Sequence, residues 1–98
     1  MENSQNNTSE TEHYDFILFI SGMSTKSSHA IENLRRICEK HIPKFDLQII
    51  DIRTEQQKAV EYQILAVPTL IKRQPNPNRT IVGDLSDTEK VLRILDIK

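Results

Sequence analysis

The spacing of apolar residues changes period several times along the chain, and each change marks an element. "YDFILFI", residues 14–20, is an almost unbroken apolar and aromatic run that stops at Ser21-Gly22, the pattern of a central strand buried on both faces. Ala30, Ile31, Leu34, Ile37 and Cys38 then recur at spacings of three and four, which lays one apolar helical stripe against a sheet. Ser24 is the natural cap of that helix and Pro43 its stop. "FDLQIID", residues 45–51, alternates Phe45, Leu47 and Ile49 with Asp46, Gln48 and Ile50, a strand with one drier face. Thr54 and Gln57 form a Thr-x-x-Gln capping box, predicting a short helix to about Tyr62.

The second half continues with "PTLIK" as a strand, "QPNPN" as a turn and "RTIVG" as a returning strand. "SDTEKVLRILDI" opens with a second capping box, Ser86 to Glu89. It predicts one continuous helix from about Ser86 to Asp96 that buries Val91, Leu92, Ile94 and Leu95. The resulting order, βαβαββα, is an α/β fold: a four-stranded mixed sheet with helices on both faces.

Composition narrows the classes. With 98 residues there is room for one small domain. A hydrophobic fraction of 37% makes a thin core, so a partner or further copies, as a dimer or tetramer, would add useful burial. Residues 1–13 hold only Met1 as an apolar side chain and three acids, Glu2, Glu10 and Glu12, and are expected to be a disordered tail ahead of a domain spanning 14–98. The net charge of −1 offers no footprint for nucleic acid. No apolar run is long enough for a membrane span and the N-terminus does not read as a signal peptide. One cysteine suits a reducing compartment, so the cytoplasm is expected.

Catalytic chemistry is sparse. Cys38 and His41 lie one turn apart, but no second pair matches them, and structural zinc takes four ligands, so no metal or cofactor is expected. Asp51, Asp84, Asp87 and Asp96 each sit where a strand end, turn, cap or helix terminus accounts for them. Lys72, Arg73 and Arg79 flank one hairpin, where a local basic patch competes with the commoner reading of exposed charges that serve solvation alone.

"AVPTL", with Pro68, resembles the cis-proline segment of thioredoxins, and "VGDLS", with Gly83, resembles the Val-Gly turn before their last helix. That resemblance implies a cis bond before Pro68. It also implies a cysteine pair entering the first helix, where this sequence has "SGMSTKSS". Cys38 lies some three turns further on, on the apolar stripe, where free cysteines are usually inert; an oxidoreductase-like or redox-responsive role through Cys38 is the alternative reading.

"YDFILFISGMSTKSSHAIENL", "IIDI" and "ILAVPTLIKRQPNPNRTIVGDLSDTEKVL" together resemble KaiB, the small circadian clock protein family, from about Tyr14 to Leu92. The resemblance implies a non-catalytic bacterial regulator that binds a KaiC-type ATPase, in stress or timing regulation. Carried over by position, the docking residues would be Tyr62, Gln63, Ala66, Val67, Pro68, Thr69 and Lys72, with Asp46 and Gln48 on a strand-edge surface. Gln48 stands where relatives commonly have lysine, Thr25 where they have proline, and the sequence stops at Lys98, short of the family's acidic extension. The family also implies a second ordering, βαββααβ. Ile94, in place of a helix-weakening glycine, favours the thioredoxin-like order here.

Overall fold

The apolar run at residues 14–20 forms strand β1 (Tyr14–Ile20) and takes the centre of the sheet because both of its faces are apolar. In the computed structural model, which describes residues 12–97, Phe16, Leu18 and Ile20 enter one core while Ile17 and Phe19 enter a second on the opposite face. All but the last two residues of the expected tail at 1–13 lie outside the described residues. The remaining elements are α1 (Thr25–His41), β2 (Phe45–Asp51), α2 (Gln56–Glu61), β3 (Thr69–Gln74), β4 (Arg79–Val82) and α3 (Thr88–Ile94). The strands lie in the order β2-β1-β3-β4, with β1 and β2 parallel and the other pairs antiparallel. The order is βαβαββα, not βαββααβ.

Helix α1 begins as its sequence demands. The Ser24 side chain accepts from the Ser27 backbone N–H, satisfying one of the free donors of the first turn. The helix ends where the Ile42 N–H returns to the Cys38 carbonyl, with Lys40 and His41 at the negative end of its dipole. Its stripe of Ala30, Leu34, Ile37 and Cys38 packs on the first core together with Val91 and Leu95.

Neither predicted capping box forms. Thr54 is held in a turn, where its backbone N–H and its hydroxyl both donate to the Asp51 carbonyl, so α2 starts later, at Gln56, without a side-chain cap. Ser86 is likewise drawn into a turn: its N–H donates to Asp84 Oδ1, and Leu85 before it has φ of +64°. Asp87 becomes the cap, accepting from the Lys90 N–H, and α3 runs from Thr88 to Ile94 rather than from Ser86 to Asp96. A polar side chain that closes the preceding turn is lost to the cap: at α3 Asp87 takes its place, and at α2 no side chain does.

Ile94 closes α3 half-buried against the first core. Ile94→Gly removes that packing and adds backbone entropy, together about 1.5 kcal/mol. A urea titration followed by circular dichroism should show that loss; an unchanged midpoint would mean the last turn of α3 is not packed.

Candidate functional site

The second face of the sheet is covered thinly. Helix α2 has six residues and buries none of them, so Ile17, Phe19, Ile50 and Ile71 are shielded mainly by Ile52, Tyr62, Ile64 and Val67. Tyr62 ends α2, and its ring packs on Phe19 with centroids 5.4 Å apart. Gln63 turns the chain with φ of +55°. The Ile64 N–H then returns to the Ala59 carbonyl, and the Thr69 hydroxyl donates to the Ala66 carbonyl. The Val67–Pro68 bond is cis, as are the bonds before Pro75 and Pro77. Gly83, at φ of +128°, donates its N–H to the Pro68 carbonyl and ties this segment to the end of β4.

Between this loop and the β3–β4 ladder lies an open groove of about 290 Å³, floored by Thr69 and Ile71 and walled by Thr80 and Val82. Its rim carries unusual apolar exposure. Leu65 is 97% exposed and Val82 62%, and Val60, 75% exposed, lines an adjoining hollow with Ala59, Gln63, Ile64 and Leu65. Among the described residues no carboxylate, imidazole or thiol lines the groove.

Most of the residues expected to dock therefore fall in one place: Tyr62, Gln63, Ala66, Val67, Pro68 and Thr69 form one continuous segment, with Gln63 and Ala66 exposed and Pro68 and Thr69 buried beneath them. Lys72 does not join them. Strand parity puts it beside Leu70 on the opposite face, where it is 1% exposed and its ammonium donates to the Leu95 carbonyl at 2.8 Å, with the Tyr14 ring 5.9 Å away. Nor do Lys72, Arg73 and Arg79 form a basic patch. Arg73 points to the second face and pairs with Asp15, while Arg79 pairs with Asp96 beyond α3. Asp46 and Gln48 are exposed on β2, the opposite edge of the sheet from β4. Asp46 meets His13 at 2.7 Å.

Leu65, Val60 and Val82 were not legible as surface residues. The signal available was that "QQKAVE" is too short and too polar to have a face that needs burying, which leaves Val60 with no partner.

The place where a thioredoxin carries its thiols holds other groups. The Gly22 N–H donates to Asp51 Oδ1, and the Arg53 guanidinium lies so close that a Cβ on Gly22 would meet its Cζ at 2.6 Å. Hydrogen bonds from Arg53 hold the Asp51 carboxyl below the usual carboxylate range. Asp51 thus stitches two loops together, as Asp84, Asp87 and Asp96 serve a turn, a cap and a helix end. Cys38 is fully buried, and desolvation pushes its thiol up to about 12, so it stays protonated at neutral pH. Among the described residues no helix is long and apolar enough to cross a membrane, and no group of three His, Cys, Asp or Glu side chains could hold a metal ion.

A βαβαββα sheet of this kind, with an amide and an arginine where the thiols would be, defines a thioredoxin-fold protein without the thioredoxin site. Solved structures agree on the fold: mitochondrial thioredoxin 3 of Saccharomyces cerevisiae has a TM-score of 0.69 at 16% identity, covering 96% of this chain and 89% of its own. The N-terminal domain of SasA from Synechococcus elongatus also has a TM-score of 0.69, at 22% identity, covering 85% and 83%. The KaiB domain model matches residues 17–97, and the chain belongs to the KaiB family. Circadian clock protein KaiB3 of Synechocystis sp. is 46% identical over 81 residues, 82% of this chain and 79% of that protein. The circadian clock oscillator protein KaiB of Prochlorococcus marinus strain MIT 9312 is 44% identical over 85 residues, 86% and 81% respectively.

Proposed function

We propose that this protein is a non-catalytic regulator that docks on a KaiC-type ATPase in the cytoplasm of a bacterium, adjusting timing or a stress response. The docking surface is the segment from Tyr62 to Thr69 with the groove beside it. The observation that carries the reading is the exposure of Leu65 and Val82 around a groove on the thin face of the sheet, with exposed Val60 in the adjoining hollow, in a chain of the clock-protein family. The free edge of β2, with Asp46 and Gln48, is a separate surface on which a second protein can add, since among the described residues β1 is its only strand neighbour. The redox alternative loses its support, because Cys38 is buried and protonated.

Leu65→Asp tests the docking surface. The side chain is almost wholly exposed, so the thermal midpoint should be unchanged, while a charge placed at the centre of an apolar contact should weaken binding by about a hundredfold. Size-exclusion chromatography of the protein with the KaiC-type ATPase of the same organism and ATP should show co-elution of the wild type and none of Leu65→Asp. Co-elution of both would place the contact elsewhere.

A further inference from the structure

Helix α2 buries nothing of its own, so its level above the sheet is set by the contacts of the segment that follows it. Ile64 and Val67 hold the far side of the loop against the second core. The near side ends at Tyr62, whose ring packs on Phe19 and whose hydroxyl is held: Arg73 Nη1 donates to it at 3.1 Å. The same guanidinium donates through Nη2 to Asp15 Oδ2 at 2.7 Å. One planar cation therefore connects β1, β3 and the end of α2. Neither Arg73 nor Asp15 lines the groove.

The fork is held, not merely resting there. Arg73 Nε is dry and has no hydrogen-bond partner among the described residues, a cost that swinging the side chain into solvent would remove. The guanidinium stays because its two outer nitrogens are engaged, one of them in a charge-assisted bond. A lysine could keep the charge, but a point ammonium cannot hold a phenol and a carboxylate on two separate nitrogens.

We propose that Asp15, Arg73 and Tyr62 form a strut that sets the pose of the 62–66 loop, making Arg73 and Asp15 positioning residues for the docking surface. This rests on the docking reading given above. If the strut is cut, the loop still has its anchors at Ile64, Val67 and Thr69, so the domain remains folded while the Tyr62 end moves relative to the groove.

Amide hydrogen exchange on the isolated protein, paired with affinity for the KaiC-type ATPase, tests this. Arg73→Met keeps the aliphatic stem, Asp15→Asn keeps the shape, Arg73→Lys keeps the charge, and Tyr62→Phe removes only the hydroxyl. All four should exchange faster at residues 62–66 while β1 and α1 stay as protected as in the wild type. Arg73→Met and Asp15→Asn should bind the ATPase about tenfold more weakly although neither residue faces the groove. Unchanged exchange at 62–66 in Arg73→Met and Asp15→Asn overturns the strut whether or not the ATPase binds. Faster exchange with unchanged affinity overturns its role in docking. Arg73→Lys behaving as wild type would show that charge alone matters and overturns the fork. Absence of binding by the wild type refutes the docking reading instead, and the exchange measurements still decide whether the strut exists.

Discussion

Lys72→Ala is expected to lower stability by about 3 kcal/mol, more than most single changes in a domain this small. The side chain is a buried hydrocarbon stem with an ammonium at its tip, and both parts are used. Truncation leaves a cavity beside Tyr14 and Phe16, and it strips the Leu95 carbonyl of its donor in dry surroundings at the end of α3. Relief from burying a charge offsets part of this, since among the described residues no carboxylate forms an ion pair with the ammonium. Lys72→Met keeps the stem and so avoids the cavity, while the lost donor to Leu95 and the relief from burying a charge oppose each other; it should be more stable than the alanine variant. The sign of the pH dependence follows from the same burial. Desolvation lowers the amine below its usual 10.5, so the cost of burying the charged form is present at neutral pH and is relieved as pH climbs towards 10.5. Urea titrations of both variants check this; an alanine variant as stable as the wild type would mean that Lys72 reaches solvent.

The second large effect is alkaline destabilisation through Cys38. Its thiol is raised from 9.0 to about 12, first by desolvation and then by Glu39. Between those values the unfolded chain releases a proton that the folded protein keeps. Stability contributed by the buried thiol is therefore whole below pH 9 and is lost as pH rises through 12, at a limiting slope of about 1.4 kcal/mol per pH unit. Tyr14, also raised, first by desolvation, adds a slope of the same sign, and Lys72 one of the opposite sign. The difference between wild type and Cys38→Ala isolates the thiol. The alanine variant should lose about 1 kcal/mol at neutral pH from its small cavity, then converge on the wild type and cross it above about pH 10. Parallel stability curves from pH 8 to 10.5 would show that Cys38 is accessible.

Much of the fold was legible because its signals are local and unopposed. The run at 14–20 has no polar face to turn outward, and the stripe from Ala30 to Cys38 follows one helical period with a cap that nothing else competes for. The two capping boxes misled because Thr54 and Ser86 each have a turn partner, Asp51 and Asp84, that sequence spacing cannot rank against the helix. Lys72 misled for a different reason. A lysine in a strand is read as exposed by its chemistry, but the register that pairs Phe16 with Lys72 places it with the core, and only the arrival of a helix end supplies the acceptor that makes burial tolerable. The segment from Tyr62 to Thr69 was legible through the family resemblance alone, and the exposure of Leu65 was not. Within "ILAVP" every side chain is apolar, and which one faces out depends on the turn at Gln63.

The central claim is that one surface, the loop after α2 and the groove beside it, meets the ATPase. Hydrogen exchange of the complex against the free protein reads that surface directly. The account predicts slowed exchange from about Lys58 to Thr69 and at Val82, with the edge strand from Phe45 to Asp51 and the loop at Gly22 unchanged. Protection at the β2 edge or at Gly22 with the 58–69 segment unaffected would contradict it.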